Sequence, residues 1–193
     1  MKNYFILFIL FTTLFALSCT KDEPTFPKNQ NTIGNFIFLN KGIVVESLNS
    51  SGTHLMGFKF WTKKRGKINQ IGIFSGAIGT YTVYIRDSAS NTLLFQDTVY
   101  QKSLKYWSFR DIKPFTIETQ KKYYFYTQNI PVNPINAVKK SNPANAMIKF
   151  PMVINSITID YPIFSIDGKA INKPDTSGIY GLVDFTFRED RYE

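Results

Sequence analysis

The chain of 193 residues contains one cysteine and one histidine, and that scarcity limits its chemistry. A Ser-His-Asp or Cys-His mechanism would have to run through His54. His54 stands in the turn-rich SSGTHL, where a histidine beside Ser and Thr reads as a solvated loop residue. Structural zinc wants about four His or Cys ligands, which the chain cannot supply. Carboxylates remain, since a glycosidase needs only a pair of them. The candidates are Asp87, Asp97, Asp111, Asp160, Asp167, Asp175 and Asp184. Asp184 lies between apolar residues in LVDFTF. Strand alternation sets it opposite Val183 and Phe185, at a solvent-facing sheet surface or bonded to a neighbouring strand. Asp167 before Gly168, and Asp175 ahead of Gly178, read first as turn chemistry. Calcium would suit such turns, but no segment has the dense Asp/Asn alternation of a calcium loop. The expectation is therefore a protein that is not an enzyme, with no cofactor and no metal site.

The cysteine has another use. It lies in LFALSCTKDEP, after Lys2 and an apolar run over 4–17 broken only by Thr12 and Thr13. Residues 1–18 are built like a secretory signal, and the run is short of the roughly 20 residues of a membrane span. Ala-Leu-Ser-Cys resembles the lipobox of bacterial lipoproteins, with Ala16 in place of the usual Leu and Leu17 in place of the usual small residue. The resemblance implies cleavage before Cys19, lipidation of its sulfur and acylation of the new amino group. A thiolate is a good nucleophile for taking up lipid, and two or more acyl chains hold stably where one holds weakly. Lys21-Asp22-Glu23 is similar to the surface-export signal of Bacteroidota lipoproteins, which implies a lipid-anchored protein on the outer face of the outer membrane. Residues 19–31 continue as the lipidated Cys and a flexible tether, since PTFPKNQN has no periodicity and two prolines.

If Cys19 is given to lipid, no disulfide is available. The body at 32–193 must then be held by its core, and a chain of that length can build one. We read it as a single domain. The net charge of +9 includes Lys2, which would leave with the signal. Its basic residues are scattered, and Lys63-Lys64-Arg65, Lys121-Lys122 and Lys139-Lys140 are the clusters. Nucleic acid is not an expected partner, because that role concentrates basic charge on one surface. Acidic glycans or the cell envelope fit the excess better.

From residue 34 onward the hydrophobic period is two. HLMGFKFW sets Met56, Phe58 and Phe60 on one face; TYTVYIRD sets Tyr81, Val83 and Ile85 against Thr82, Tyr84 and Arg86. IYGLVDFTF sets Ile179, Val183, Phe185 and Phe187 against Tyr180, Asp184 and Thr186. Further strands are expected at 93–100, 106–110, 115–118, 123–128 and 153–161, with GNFIFLN and GIVVESL near the start. Residues 130–151 read as a long loop, with at most one helical turn at 135–140. Short, evenly spaced strands with Gly, Asn, Asp and Ser between them predict an all-β, antiparallel β-sandwich of jelly-roll or immunoglobulin-like kind. A closed β-barrel is the alternative.

The succession GKINQIGIF, GTYTVYIRD, TLLFQDTVY and YWSFRDIKPFTIETQKKYYFYT, closed by LVDFTF, resembles domain-of-unknown-function family 4082, whose members are bacterial secreted β-sandwich modules. The similarity covers about 56–187, with 130–151 as its departure. It implies a sandwich with a carbohydrate-related role and transfers no catalytic residues.

Sugar-binding sandwiches stack exposed aromatic rings on the apolar faces of sugars. The candidates on the face opposite the apolar set are Trp61, Tyr84 and Tyr180. In YYFY, Tyr124 and Tyr126 share one face and Tyr123 and Phe125 the other, with the inward pair left open. Trp107 and Phe109 read as core. The expected function is a surface-anchored, non-catalytic binding module for glycan or envelope components; the alternative is a structural or adhesive subunit docking onto another surface protein.

Overall fold

The structure, a computed structural model, describes residues 30–40, 42–49, 52–129, 134–165 and 174–190. The expected signal, Cys19, all of the tether before Gln30, and Asp167 lie outside the described residues.

The alternating runs form strands. They are β1 (Gln30–Asn31), β2 (Glu46–Leu48), β3 (His54–Thr62), β4 (Gly66–Ile73), β5 (Gly79–Asp87), β6 (Leu93–Gln101) and β7 (Ser108–Ile117). The later strands are β8 (Tyr123–Asn129), β9 (Ile135–Lys139), β10 (Met152–Ile154), β11 (Ile157–Ser165), β12 (Gly178–Tyr180) and β13 (Val183–Glu189). Among the described residues one short helix, α1 (Ile33–Leu39), and a 3-10 turn at Pro143–Asn145 complete them.

Among the described residues the strands make three sheets, ordered β1-β13-β4-β7, β10-β11-β3-β8-β5-β6 and β12-β9-β2. Every pairing is antiparallel. Among the described residues no sheet closes on itself, so the architecture is the all-β sandwich and not the barrel.

The four- and six-stranded sheets bury their inner faces in one core. From the larger sheet come Phe58, Phe60, Val83, Ile85, Tyr123 and Phe125; from the smaller come Ile68, Ile71, Ile73, Val183, Phe185 and Phe187. Phe185 is the central contact between them. Its ring lies 4.8 Å from Phe60, 5.0 Å from Phe125 and 6.1 Å from Phe58, centroid to centroid. The tilted and edge-on arrangements suit the ring quadrupoles. The three-stranded sheet contributes Val138 and Ile179 to this core, while Ile135, Ala137 and Tyr180 cluster with Met56.

Several elements differ from the sequence expectation. GNFIFLN is not a strand but α1, with Phe36 and Ile37 packed on the core. The segment 130–151 is not a long loop: it holds β9 and the 3-10 turn, and 135–139 is a strand instead of a helical turn. Asn145 explains the order there. Fully buried, it donates its amide to the carbonyls of Val44 and Lys139, both at 2.9 Å, and accepts from the Val44 N–H at 2.8 Å. The expected strands at 106–110 and 115–118 are one strand, β7, and 153–161 is the β10–β11 hairpin.

Candidate functional site

The outer face of the six-stranded sheet carries the side chains that β3, β5, β8 and β11 point away from the core. Register sets Tyr161 beside Lys59, Lys59 beside Tyr124, and Tyr124 beside Arg86. The adjoining row runs from Ile163 through Gly57 and Tyr126 to Tyr84. Tyr124, Tyr126, Leu55 and Ile163 form a small buried cluster of their own, with half-buried Tyr84 and Tyr161 packed on it. The open pair in YYFY is thus resolved: Tyr123 and Phe125 point into the core, Tyr124 and Tyr126 out of it.

The rings are organised by stacking and by two cations. Tyr84 stacks on Tyr126 at 5.1 Å with 18° between the ring planes. Arg86 donates its Nε–H to the Tyr126 hydroxyl at 2.7 Å and an Nη1–H to the Asn91 carbonyl at 2.8 Å. Lys59 Nζ lies 5.5 Å from the centroid of Tyr124 and 5.6 Å from that of Tyr161, a distance at which ammonium and π-face attract. Among the described residues Lys59 forms no ion pair. Burial, and next the Tyr124 hydroxyl beside it, push the Tyr161 phenol well above its ordinary range. Burial also raises Tyr126, against the opposing hydrogen bond from Arg86. Both stay neutral phenols in ordinary conditions, able to donate as well as accept.

Of the three aromatics expected to bind, the structure places two on this face. Tyr84 lies within the tyrosine array. Trp61, half-buried on β3 two residues beyond Lys59, donates its indole N–H to Asp160 Oδ1 at 2.9 Å, and Asp160 Oδ2 pairs with Lys122 at 2.8 Å. Tyr180 does not join them. It is buried at 8 % exposure, stacked on Phe164 at 4.4 Å, with its hydroxyl 2.8 Å from Ser177 Oγ. The reason is a break that alternation cannot see. Gly181 (φ 67°) and Leu182 (φ 24°) turn the backbone, so that 179–187 is two strands in two sheets. Tyr124, Tyr126 and Tyr161 are members that sequence reasoning missed or left open, and the phase of YYFY relative to TYTVYIRD was the available signal.

His54 corrects a second expectation. It is no loop residue: it opens β3, is fully buried, and stacks on Phe164 at 5.6 Å. Its phase with Met56, Phe58 and Phe60 carried that information.

Asp184 corrects a third. It faces away from Val183 and Phe185 but is fully buried beneath α1. Its Oδ1 accepts the Thr32 N–H at 2.9 Å, the Ile33 N–H at 3.1 Å, the Phe185 N–H at 2.8 Å and the Thr32 hydroxyl. Its Oδ2 accepts the Gly34 N–H at 2.8 Å. A Cβ at Gly34 would stand 3.0 Å from Oδ2, so glycine makes room for the carboxylate. Burial pushes its pKa up, and the bonds from Thr32, Gly34, Phe185 and Ile33 pull against that. Both carboxylate oxygens accept from donors inside the protein. Asp184 therefore holds α1 to β13.

The other carboxylates are held by separate partners. Asp87 pairs with Lys121 at 2.7 Å, Asp97 with Arg110 at 2.9 Å, and Asp111 accepts from Gln70 at 2.7 Å. Asp175 accepts the Ser177 N–H at 2.9 Å within its own turn. Among the described residues no three His, Cys, Asp or Glu come together as a metal site, and no helix is long and apolar enough to cross a membrane.

Set against known proteins, the chain matches no family model and no curated protein.

Proposed function

We infer that the protein is a lipid-anchored outer-membrane lipoprotein, displayed outward, whose sandwich binds glycan on the outer face of its six-stranded sheet. The observation that carries the binding site is the gathering of Tyr84, Trp61 and Tyr161 on one sheet face around Lys59 and Arg86. Half-buried rings offer flat apolar area to a sugar's C–H face, and their phenols and the ammonium offer partners to its hydroxyls. A rigid sheet presents that surface without the entropy cost of ordering a loop. The carbohydrate-related family resembled in 56–187 and the LFALSCTKDEP segment support the same reading.

The test is a glycan array probed with the full chain at low and high salt. We expect salt-resistant binding to a defined sugar, lost in Trp61→Ala or Tyr84→Ala while the urea unfolding transition stays cooperative. Binding that disappears at high salt would trace to net charge alone and overturn the stacking site. No sugar binding, with a co-purifying surface protein instead, would shift the function to the docking subunit.

A further inference from the structure

The opposite sheet contains a second surface that the glycan reading does not use. Ladder pairing between β4 and both of its neighbours breaks at one residue, Asn69. On the β13 side Ile68 pairs with Phe187 and Gln70 with Thr186, leaving Asn69 unopposed. On the β7 side Ile68 pairs with Phe115 and Gln70 with Asp111, so Ile112, Lys113 and Pro114 together span the single Asn69. Pro114 has no N–H to lose from a ladder, which suits it to that place. Bulges bend a strand and re-aim side chains, and they gather next to functional sites. Here two coincide.

Beside them is a pocket of about 270 Å³ lined by Lys67, Asn69, Pro114, Arg188, Glu189 and Asp190. Lys67 and Arg188 are directly opposed across β4 and β13, and both are exposed. Like charges so placed repel and destabilise the pair. Among the described residues neither has a carboxylate partner. The acids in the pocket are engaged by other cations: Glu189 with Lys64 at 2.9 Å, and Asp190 with Arg65 at 3.9 Å. A concave site with two opposed, uncompensated cations and an amide side chain between bulges is complementary to a compact anion bearing several acceptor oxygens.

We propose that the Lys67–Arg188 pocket binds a phosphate group, either as free phosphate or as the phosphomonoester of a sugar. Arg188 supplies planar forked donors, Lys67 a point charge, and Asn69 an amide to the remaining oxygen. The volume lies just under the usual range for small-molecule sites, of the order of 300 Å³ and upward, which suits a ligand of this size.

The experiment is calorimetric titration of the full chain with inorganic phosphate and with glucose 6-phosphate at constant ionic strength. Lys67→Gln, Arg188→Gln and Lys149→Gln are run beside it, with Lys149 as an exposed lysine outside the pocket. The wild type is expected to saturate, and Lys67→Gln and Arg188→Gln each to weaken binding about tenfold or more. Lys149→Gln should leave affinity unchanged. Both pocket variants should be at least as stable as wild type without ligand, because the repulsion is relieved. Tighter binding of glucose 6-phosphate would identify the ester as the better ligand, and equal binding the bare oxyanion. Equal weakening in all three variants, or no saturation at tens of millimolar phosphate, would overturn the proposal.

Discussion

Replacing Asp184 with asparagine removes one charge and changes one acceptor into a donor while keeping the side chain's shape. With its carbonyl oxygen at the Oδ1 position, asparagine can still accept from Thr32, Ile33 and Phe185. Its NH₂ then meets the Gly34 N–H that Oδ2 now accepts at 2.8 Å. Donor facing donor leaves that amide unsatisfied, at about 1–3 kcal/mol. The Oδ1 bonds also lose charge assistance, roughly 1 kcal/mol each. Relief from holding a buried anion offsets several kcal/mol of that. The net is a loss of about 3 kcal/mol. In urea, with a slope of about 2 kcal/mol per molar, the midpoint should fall by about 1.5 M. Amide exchange at residues 32–34 should accelerate more than in β5, whose strand lies in the other sheet. A loss below about 0.5 kcal/mol, the usual range for surface substitutions, would refute the role given to Asp184. So would unchanged exchange at residues 32–34.

Phe185→Ala should cost about 3–5 kcal/mol, since it empties the place where the two sheets share one ring, and a scanning-calorimetry melt that barely moves would contradict that packing. Asp87 is a pH readout. Lys121 first, and then the Ser90 and Ala89 amides, hold its carboxyl well below the ordinary carboxylate range. Its support of the 87–92 turn is therefore present above the ordinary carboxylate pKa and is lost as pH falls through the lower folded value. A carbon-13 NMR titration should find Asp87 ionised where ordinary aspartates are protonated, and Lys121→Ala should move it up towards them.

Much of this fold was legible in single stretches of sequence. TYTVYIRD and HLMGFKFW point Tyr81, Val83, Ile85, Met56, Phe58 and Phe60 inward as their alternation requires, because a pleated strand allows no other arrangement once one face is buried. The same rule brought Tyr84 and Trp61 to one outer face. It failed where a short apolar run could be either helix or strand. Thr32 precedes α1 without capping it through its side chain, and the carboxylate that receives the first amides comes from Asp184, about 150 residues away in sequence. No local pattern encodes such a cap.

The sequence by itself determined most of the strands and the inward faces of those that alternate without a break, because these follow from residue type and a period of two. Tertiary structure alone decided that Tyr180 and Asp184 are buried, that Tyr161 joins Tyr84, and that Lys67 faces Arg188 beside a bulge. Those outcomes depend on which strands become neighbours and at what register. Both are set by long-range packing between segments far apart in the chain, where alternation within one strand carries no information.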